Sequence, residues 1–314
     1  MKRYKKVRIF LTGGLGNQLF QLAAAMHYAK SRVIEIDLVN STPRRNSKGK
    51  AELLSLDLPN SIKLIQKKQK ILITKIVGYN LRTGCLPNKF EKQSFFKILR
   101  NFLSGLALSL LLRKPFQVRV ATNLGHDSKI RSQKRNEILI GYFQTEMTAT
   151  EIGGTSNFLF NGVCENLYQD YLKLSQKEHP LLVHVRLGDY VSEERFGVLT
   201  HGYYKKSIDL MWKSGKYKKI WLFSDEPMEA LSRIPENMRD KTRIIHSENL
   251  ESAETLRIMT ICKGYIIANS TFSWWAAYLR GDKTSAVIAP VPWFVDLPEP
   301  LNLIPQEWKR LKGF

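Results

Sequence analysis

Apolar runs of period two alternate with longer stretches of helical period along much of this chain, and the alternation is regular in its second half. From position 180 onward LLVHVR precedes a helical stretch at 203–212, KKIWLFS precedes 228–234, TRIIHS precedes 251–262, GYIIANS precedes 272–279, and SAVIAP closes the series. Five β-rich runs separated by helices predict a parallel, doubly wound α/β sheet. The chain opens in the same way: a strand at 7–12, a glycine-rich turn at 13–17, a helix at 18–30 and a strand at 33–38 make a βαβ unit. From 43 to about 135 the pattern is weak, and helices and loops decorating a first domain are expected there. The tail, 305–314, reads as a last helix. Glycine and polar residues in EIGGTSNFLFNG, 151–162, interrupt the pattern, which divides the chain into domains at 1–160 and 161–314.

Composition allows two such cores: 314 residues, 43% hydrophobic and 11% aromatic, exclude general disorder. Charge changes the picture more. The net charge is +21, and it is not spread evenly. Residues 1–135 hold 28 Lys+Arg against 6 Asp+Glu, a balance of +22, whereas 136–314 hold 21 against 22, a balance of −1. A basic surface of that size favours an anionic partner, either nucleic acid or a membrane surface. MKRYKK resembles the start of a signal peptide, but the apolar run after it is too short before Gly13 and Gly14 break it, so no secretion signal is expected. The stretch 95–114, FFKILRNFLSGLALSLLLRK, has an uncharged part (101–112) shorter than the ~20 residues a spanning helix needs. It reads as an interfacial helix or as a buried one. Cys85, Cys164 and Cys262 are widely spaced without a zinc pattern, and fit a reducing cytosol.

Ligands of open parallel sheets sit beyond the carboxyl ends of the strands, so the polar residues there are the candidates for chemistry. They are His184, Arg186, Gly188, Asp189 and Tyr190 after one strand; Ser224, Asp225 and Glu226 after the next; His246; and Asn269, Ser270 and Thr271. Arg186 offers a planar fork suited to phosphate oxygens, and Gly188 lets backbone approach a ligand. The alternative is a structural Arg186–Asp189 pair. Ser270 or Thr271 caps a helix whose free N–H groups suit a diphosphate, while Trp274 and Trp275 read as core. Near the start, Gly14-x-Gly16 with Asp37 imitates a dinucleotide fingerprint, which keeps an NAD-dependent oxidoreductase as an alternative, but Leu19 stands where the third glycine belongs. Gly13, Gly14 and Gly16 imply close approach to this backbone, and Asn17 and Gln18 bring amides suited to sugar hydroxyls.

GGLGNQLFQLAAA at 13–25, GYFQ at 141–144, HVRLGDY at 184–190, FSDEP at 223–227 and IMTIC…IIANSTFSWWAAYL at 258–279 together resemble the bacterial α-1,2-fucosyltransferases, glycosyltransferase family eleven. The resemblance implies a GT-B fold, two Rossmann-like domains facing across a cleft, the first on the acceptor side and the second binding the GDP-sugar. It also implies inverting transfer from GDP-fucose with no metal and no other cofactor; no DxD triplet is present. By motif, Arg186 would hold the diphosphate, His184 would shape its site, Asp225 would lie near the nucleoside, and Ser270 and Thr271 would add phosphate contacts. The family motif commonly has a second arginine where this chain has Leu187. The expected reaction is displacement of GDP from C1 of fucose by the 2-hydroxyl of a galactoside. Asp189 is the first candidate for general base, with Glu193 and Glu194 as alternatives. A galactose-terminated, lipid-linked acceptor and a cytoplasmic enzyme peripheral to the anionic inner face of the plasma membrane would account for the basic first domain. A nucleic-acid-binding protein is the alternative that the pI of about 9.8 raises.

Overall fold

The computed structural model describes residues 5–30, 32–46, 48–66, 71–85, 95–112, 116–121, 123–125, 136–153, 160 and 164–314. The chain forms two compact units: Met1–Leu54, Leu58–Thr155 and Pro300–Leu303 make the first; Ser55–Asp57, Ser156–Glu299 and Ile304–Phe314 make the second. Each is built on a parallel sheet, as the α/β reading expected.

In the first unit β1 (Lys6–Gly13), α1 (Leu15–Ala29), β2 (Val33–Pro43) and β3 (Ile62–Ile65) are followed by α2 (Ile71–Cys85), α3 (Phe95–Leu112), β4 (Gln117–Val120), β5 (Glu137–Ile140) and α4 (Glu146–Gly153). The strands lie in the order β3-β2-β1-β5-β4, and all pairs are parallel. A helix was expected from position 18. α1 instead begins at Leu15, because Gly14 serves as its extended N-cap and the Glu52 carboxylate accepts from the Leu15 N–H at 2.6 Å. Gly16 and Asn17 therefore belong to the first helical turn rather than to a loop. Among its described residues, the weak stretch 43–135 holds the strands β3 and β4 and the two long helices α2 and α3. α3 is neither a wholly buried helix nor a spanning one: Leu108 is fully buried and Gly105 faces Val118, while the opposite side is open, and no described helix is long and apolar enough to cross a membrane.

The second unit runs α5 (Glu165–Glu178), β6 (Pro180–Val185), α6 (Gly188–Ser192), α7 (His201–Trp212), β7 (Lys219–Ser224), α8 (Pro227–Ala230), β8 (Thr242–Ile244), α9 (Ser252–Met259), β9 (Gly264–Ile266), α10 (Thr271–Tyr278), β10 (Val287–Val291) and β11 (Lys309–Lys312). Its strands, also parallel, follow the order β11-β10-β9-β6-β7-β8. β6 is buried at all six positions, which is why its sequence reads as a continuous apolar run. The tail corrects the sequence reading. Lys309–Lys312 is a sixth strand, paired with β10, because its backbone completes the sheet edge that Ile288–Val291 would otherwise expose.

Candidate active site

From β6 the chain winds outward through β7 and β8, then returns to the other flank of β6 with β9 and continues through β10 and β11. The reversal places a crevice at the carboxyl ends of β6 and β9, where such sheets bind ligands. Two tyrosines of α7 hold the backbone on either flank of it. The Tyr204 hydroxyl donates to the His184 carbonyl at 3.2 Å, and that of Tyr203 donates to the Ile267 carbonyl at 2.7 Å.

Residues from three strand ends meet there. Arg186 donates to Asp189 Oδ1 at 2.5 Å, and its other terminal nitrogen lies 3.2 Å from Asp225 Oδ2. Its guanidinium also sits 5.6 Å from the Tyr190 ring centroid. The Tyr190 hydroxyl donates to the Asn269 carbonyl at 3.0 Å, which ties the end of β6 to that of β9. The His184 ring centroid lies 6.4 Å from that of Phe272, in the first turn of α10. Ser270 caps α10, its hydroxyl accepting from the Phe272 N–H. A fixed guanidinium and a helix N-terminus thus flank one crevice, and both attract anionic oxygens.

His184 is buried, with Nδ1 unpaired. Burial, reinforced by the neighbouring Arg186 charge and opposed by Asp225, pulls its pKa down to about 4. It is therefore neutral at pH 7, and its ring can exchange a hydrogen bond with a ligand without adding charge.

These features agree with a match along the chain: the family model described as Glycosyl transferase family 11 covers residues 6–296. The chain belongs to that family. It is 28% identical to an α-1,2-colitosyltransferase of Escherichia coli over 96% of this chain and 97% of that protein. It is 26% identical to the Escherichia coli O-antigen biosynthesis glycosyltransferase WbnK, over 90% and 93% respectively. Among solved structures it is similar to Escherichia coli ADP-heptose LPS heptosyltransferase II, with TM-score 0.49 and 13% identity over 98% of this chain and 90% of that one. It is also similar to Bradyrhizobium fucosyltransferase NodZ, with TM-score 0.46 and 14% identity over 88% and 92%.

The family member's own geometry refines several expectations. Asp225, expected near a nucleoside, has its carboxylate bonded to the chain just after β6: Oδ1 accepts from the Leu187 N–H at 3.0 Å and Oδ2 faces Arg186. Gly188 serves that approach. A Cβ there would lie 2.3 Å from Asp225 Oδ2, so the missing side chain makes room for a carboxylate of the protein itself. Leu187, where the family commonly has arginine, is buried in the apolar core. Asn269 spends its amide on the Phe196 and Gly197 carbonyls, at 2.9 and 3.1 Å. Ser224 accepts from the Glu226 N–H at 3.0 Å. Glu193 is engaged by both Nε and a terminal nitrogen of Arg195, and Glu194 is exposed. Trp274 and Trp275 are both fully buried.

In the first unit the corresponding reversal lies between β1 and β5, and it brings two quoted motifs together. Gln144 of GYFQ donates to Asn17 Oδ1 at 3.1 Å, and Gln21 bridges from the Thr12 N–H to the Gly141 carbonyl. Gln144 was not singled out from sequence; its place in the loop that follows β5 was the available signal. The dinucleotide alternative loses its footing here. The Glu52 carboxylate occupies the N–H end of α1 where a pyrophosphate would sit, and Asp37 is buried, accepting from the Asn40 backbone and side chain.

Proposed function

We propose that this protein transfers L-fucose from GDP-fucose to the 2-hydroxyl of a galactoside acceptor, with inversion, during synthesis of a cell-surface polysaccharide of the O-antigen type. The observation that carries the reading is the convergence of Arg186, neutral His184 and the capped N-terminus of α10 on the crevice between β6 and β9. The names of the two Escherichia coli relatives support the linkage and the pathway class.

In the proposed reaction the acceptor oxygen forms a bond to C1 as the bond from C1 to the β-phosphate oxygen breaks, and GDP leaves with the electron pair. Arg186 and the α10 N–H groups meet the negative charge that develops on the diphosphate; no metal is assigned a part. The second unit is the donor side, with Ser270, Thr271 and His184 near the phosphates. The first unit is the acceptor side, with Gly14, Gly16, Asn17 and Gln144 near its strand ends. Inversion puts the leaving group and the general base on opposite faces of the sugar. Asp189 is bonded to the guanidinium assigned to the leaving group, so in this reading it orients Arg186. Glu194, which forms no ion pair among the described residues, is the carboxylate that takes the proton. In the pH–rate profile Glu194→Gln is expected to lower kcat and remove the acid-side fall, while Asp189→Asn keeps that fall; the reverse pattern returns the role to Asp189.

Arg186→Ala is expected to lower kcat/KM at least 100-fold with GDP-fucose, the scale of losing a transition-state donor. Near-wild-type turnover would remove Arg186 from the site. The colitosyl relative recommends testing a GDP-linked 3,6-dideoxy sugar beside GDP-fucose. The proposed acceptor is lipid-linked, and the proposed location is cytoplasmic and peripheral, at the inner face of the plasma membrane.

A further inference from the structure

One face of the first unit takes no part in the chemistry above. On α3, Leu99, Phe102, Leu103, Leu106 and Leu110 are between 41% and 69% exposed. At 3.6 residues per turn they share an arc of about 100°, and Leu108 and Gly105 on the other side meet the protein interior. The neighbouring α2 repeats the arrangement. Ile71, Leu72, Lys75, Tyr79 and Arg82 are exposed on one side, while Ile73, Val77 and Leu81 are buried on the other. The two helices pack against each other. Monomers rarely leave so many large apolar side chains together in water.

The charge around this face selects its partner. Neither α2 nor α3 contains an acidic residue, and 58–126 holds 13 Lys+Arg against one acid, Glu91. A second copy of the chain would bring the same positive charge to the contact and be repelled. An apolar ridge in a strongly basic stretch of sequence, with exposed Lys75, Arg82 and Tyr79 beside it on α2, suits the boundary between acyl chains and anionic headgroups.

We infer that the exposed faces of α2 and α3 form a docking surface for an anionic lipid bilayer, entered by Phe102, Leu103, Leu106 and Leu110 and held by Lys75 and Arg82. This rests on the peripheral location proposed above and names the face responsible.

The test uses the full chain with vesicles of phosphatidylcholine alone or mixed with phosphatidylglycerol, read by co-sedimentation without donor or acceptor. Wild type is expected to bind the mixed vesicles at least tenfold better than neutral ones. Leu103→Gln/Leu106→Gln/Leu110→Gln is expected to lose at least tenfold of that binding, with unchanged melting temperature and unchanged rate on a soluble acceptor. Lys75→Glu/Arg82→Glu provides a second variant that leaves the apolar residues in place, and is expected to weaken binding to mixed vesicles only. Equal binding of neutral and anionic vesicles, or full binding by both variants, would overturn the inference. So would a wild-type dimer that the triple variant converts to monomer, since a second copy would then cover the face. Vesicle binding that disappears on cue in a protein inactive toward GDP-fucose would keep the docking surface and reject the donor assignment.

Discussion

Arg186 is held from two sides, by Asp189 and by Asp225, so its guanidinium is oriented before any ligand arrives. Gly188 is what lets Asp225 come close. Gly188→Ala would push a methyl into that carboxylate, with a cost of about 1–3 kcal/mol for overpacking, and is expected to lower kcat/KM at least tenfold with only a small fall in melting temperature. His184 gives a pH prediction with a definite sign. Its folded pKa is depressed to about 4 by burial, against about 6.5 when unfolded. The unfolded state therefore binds more protons between those values, and stability present above pH 6.5 is lost as pH falls toward 4. His184→Gln should flatten that part of the stability curve in urea titrations at stepped pH, and a curve as steep as wild type would place the acid sensitivity elsewhere. At this scale the sequence showed which residue types stood at strand ends. It did not show their partners, because the Asp225–Arg186 pairing joins positions that become neighbours only through the parallel pairing of β6 with β7.

Among the elements, β6, β7 and α7 were legible because they share one apolar core, and α7 and α10 because each opens on a side-chain cap, as Thr200 accepts from the Tyr203 N–H and Ser270 from the Phe272 N–H. Tyr203 then anchors two neighbouring chain segments, since its single O–H donates to the Ile267 carbonyl at 2.7 Å and lies 3.2 Å from that of Ile288. Tyr203→Phe leaves these buried carbonyls without that donor and is expected to cost about 1–3 kcal/mol, measured by urea unfolding, with weaker donor binding as β9 loosens. The elements that misled were β11 and the start of α1. β11, KRLK, has no apolar alternation and is a strand because β10 offers it an edge. α1 starts early because Glu52, far along the chain, caps it. Neither cause is local, so no local pattern could reveal it.

For the molecule as a whole, the chain forms two units, each on a parallel sheet with its own reversal of strand order, and the quoted motifs fall at both reversals. The regular second half announced its sheet. The first half hid its own because α2 and α3 carry apolar residues on inner and outer faces alike, which blurs a helical period. Family membership fixes glycosyl transfer; the proposed donor is GDP-fucose. Acceptor-dependent release of GDP or UDP from GDP-fucose, GDP-mannose and UDP-galactose, compared in wild type and Arg186→Ala, tests it most directly. The expected result is release from GDP-fucose by the wild type, reduced at least 100-fold in Arg186→Ala. Preference for either of the other donors, or an Arg186→Ala protein as active as wild type, would contradict it.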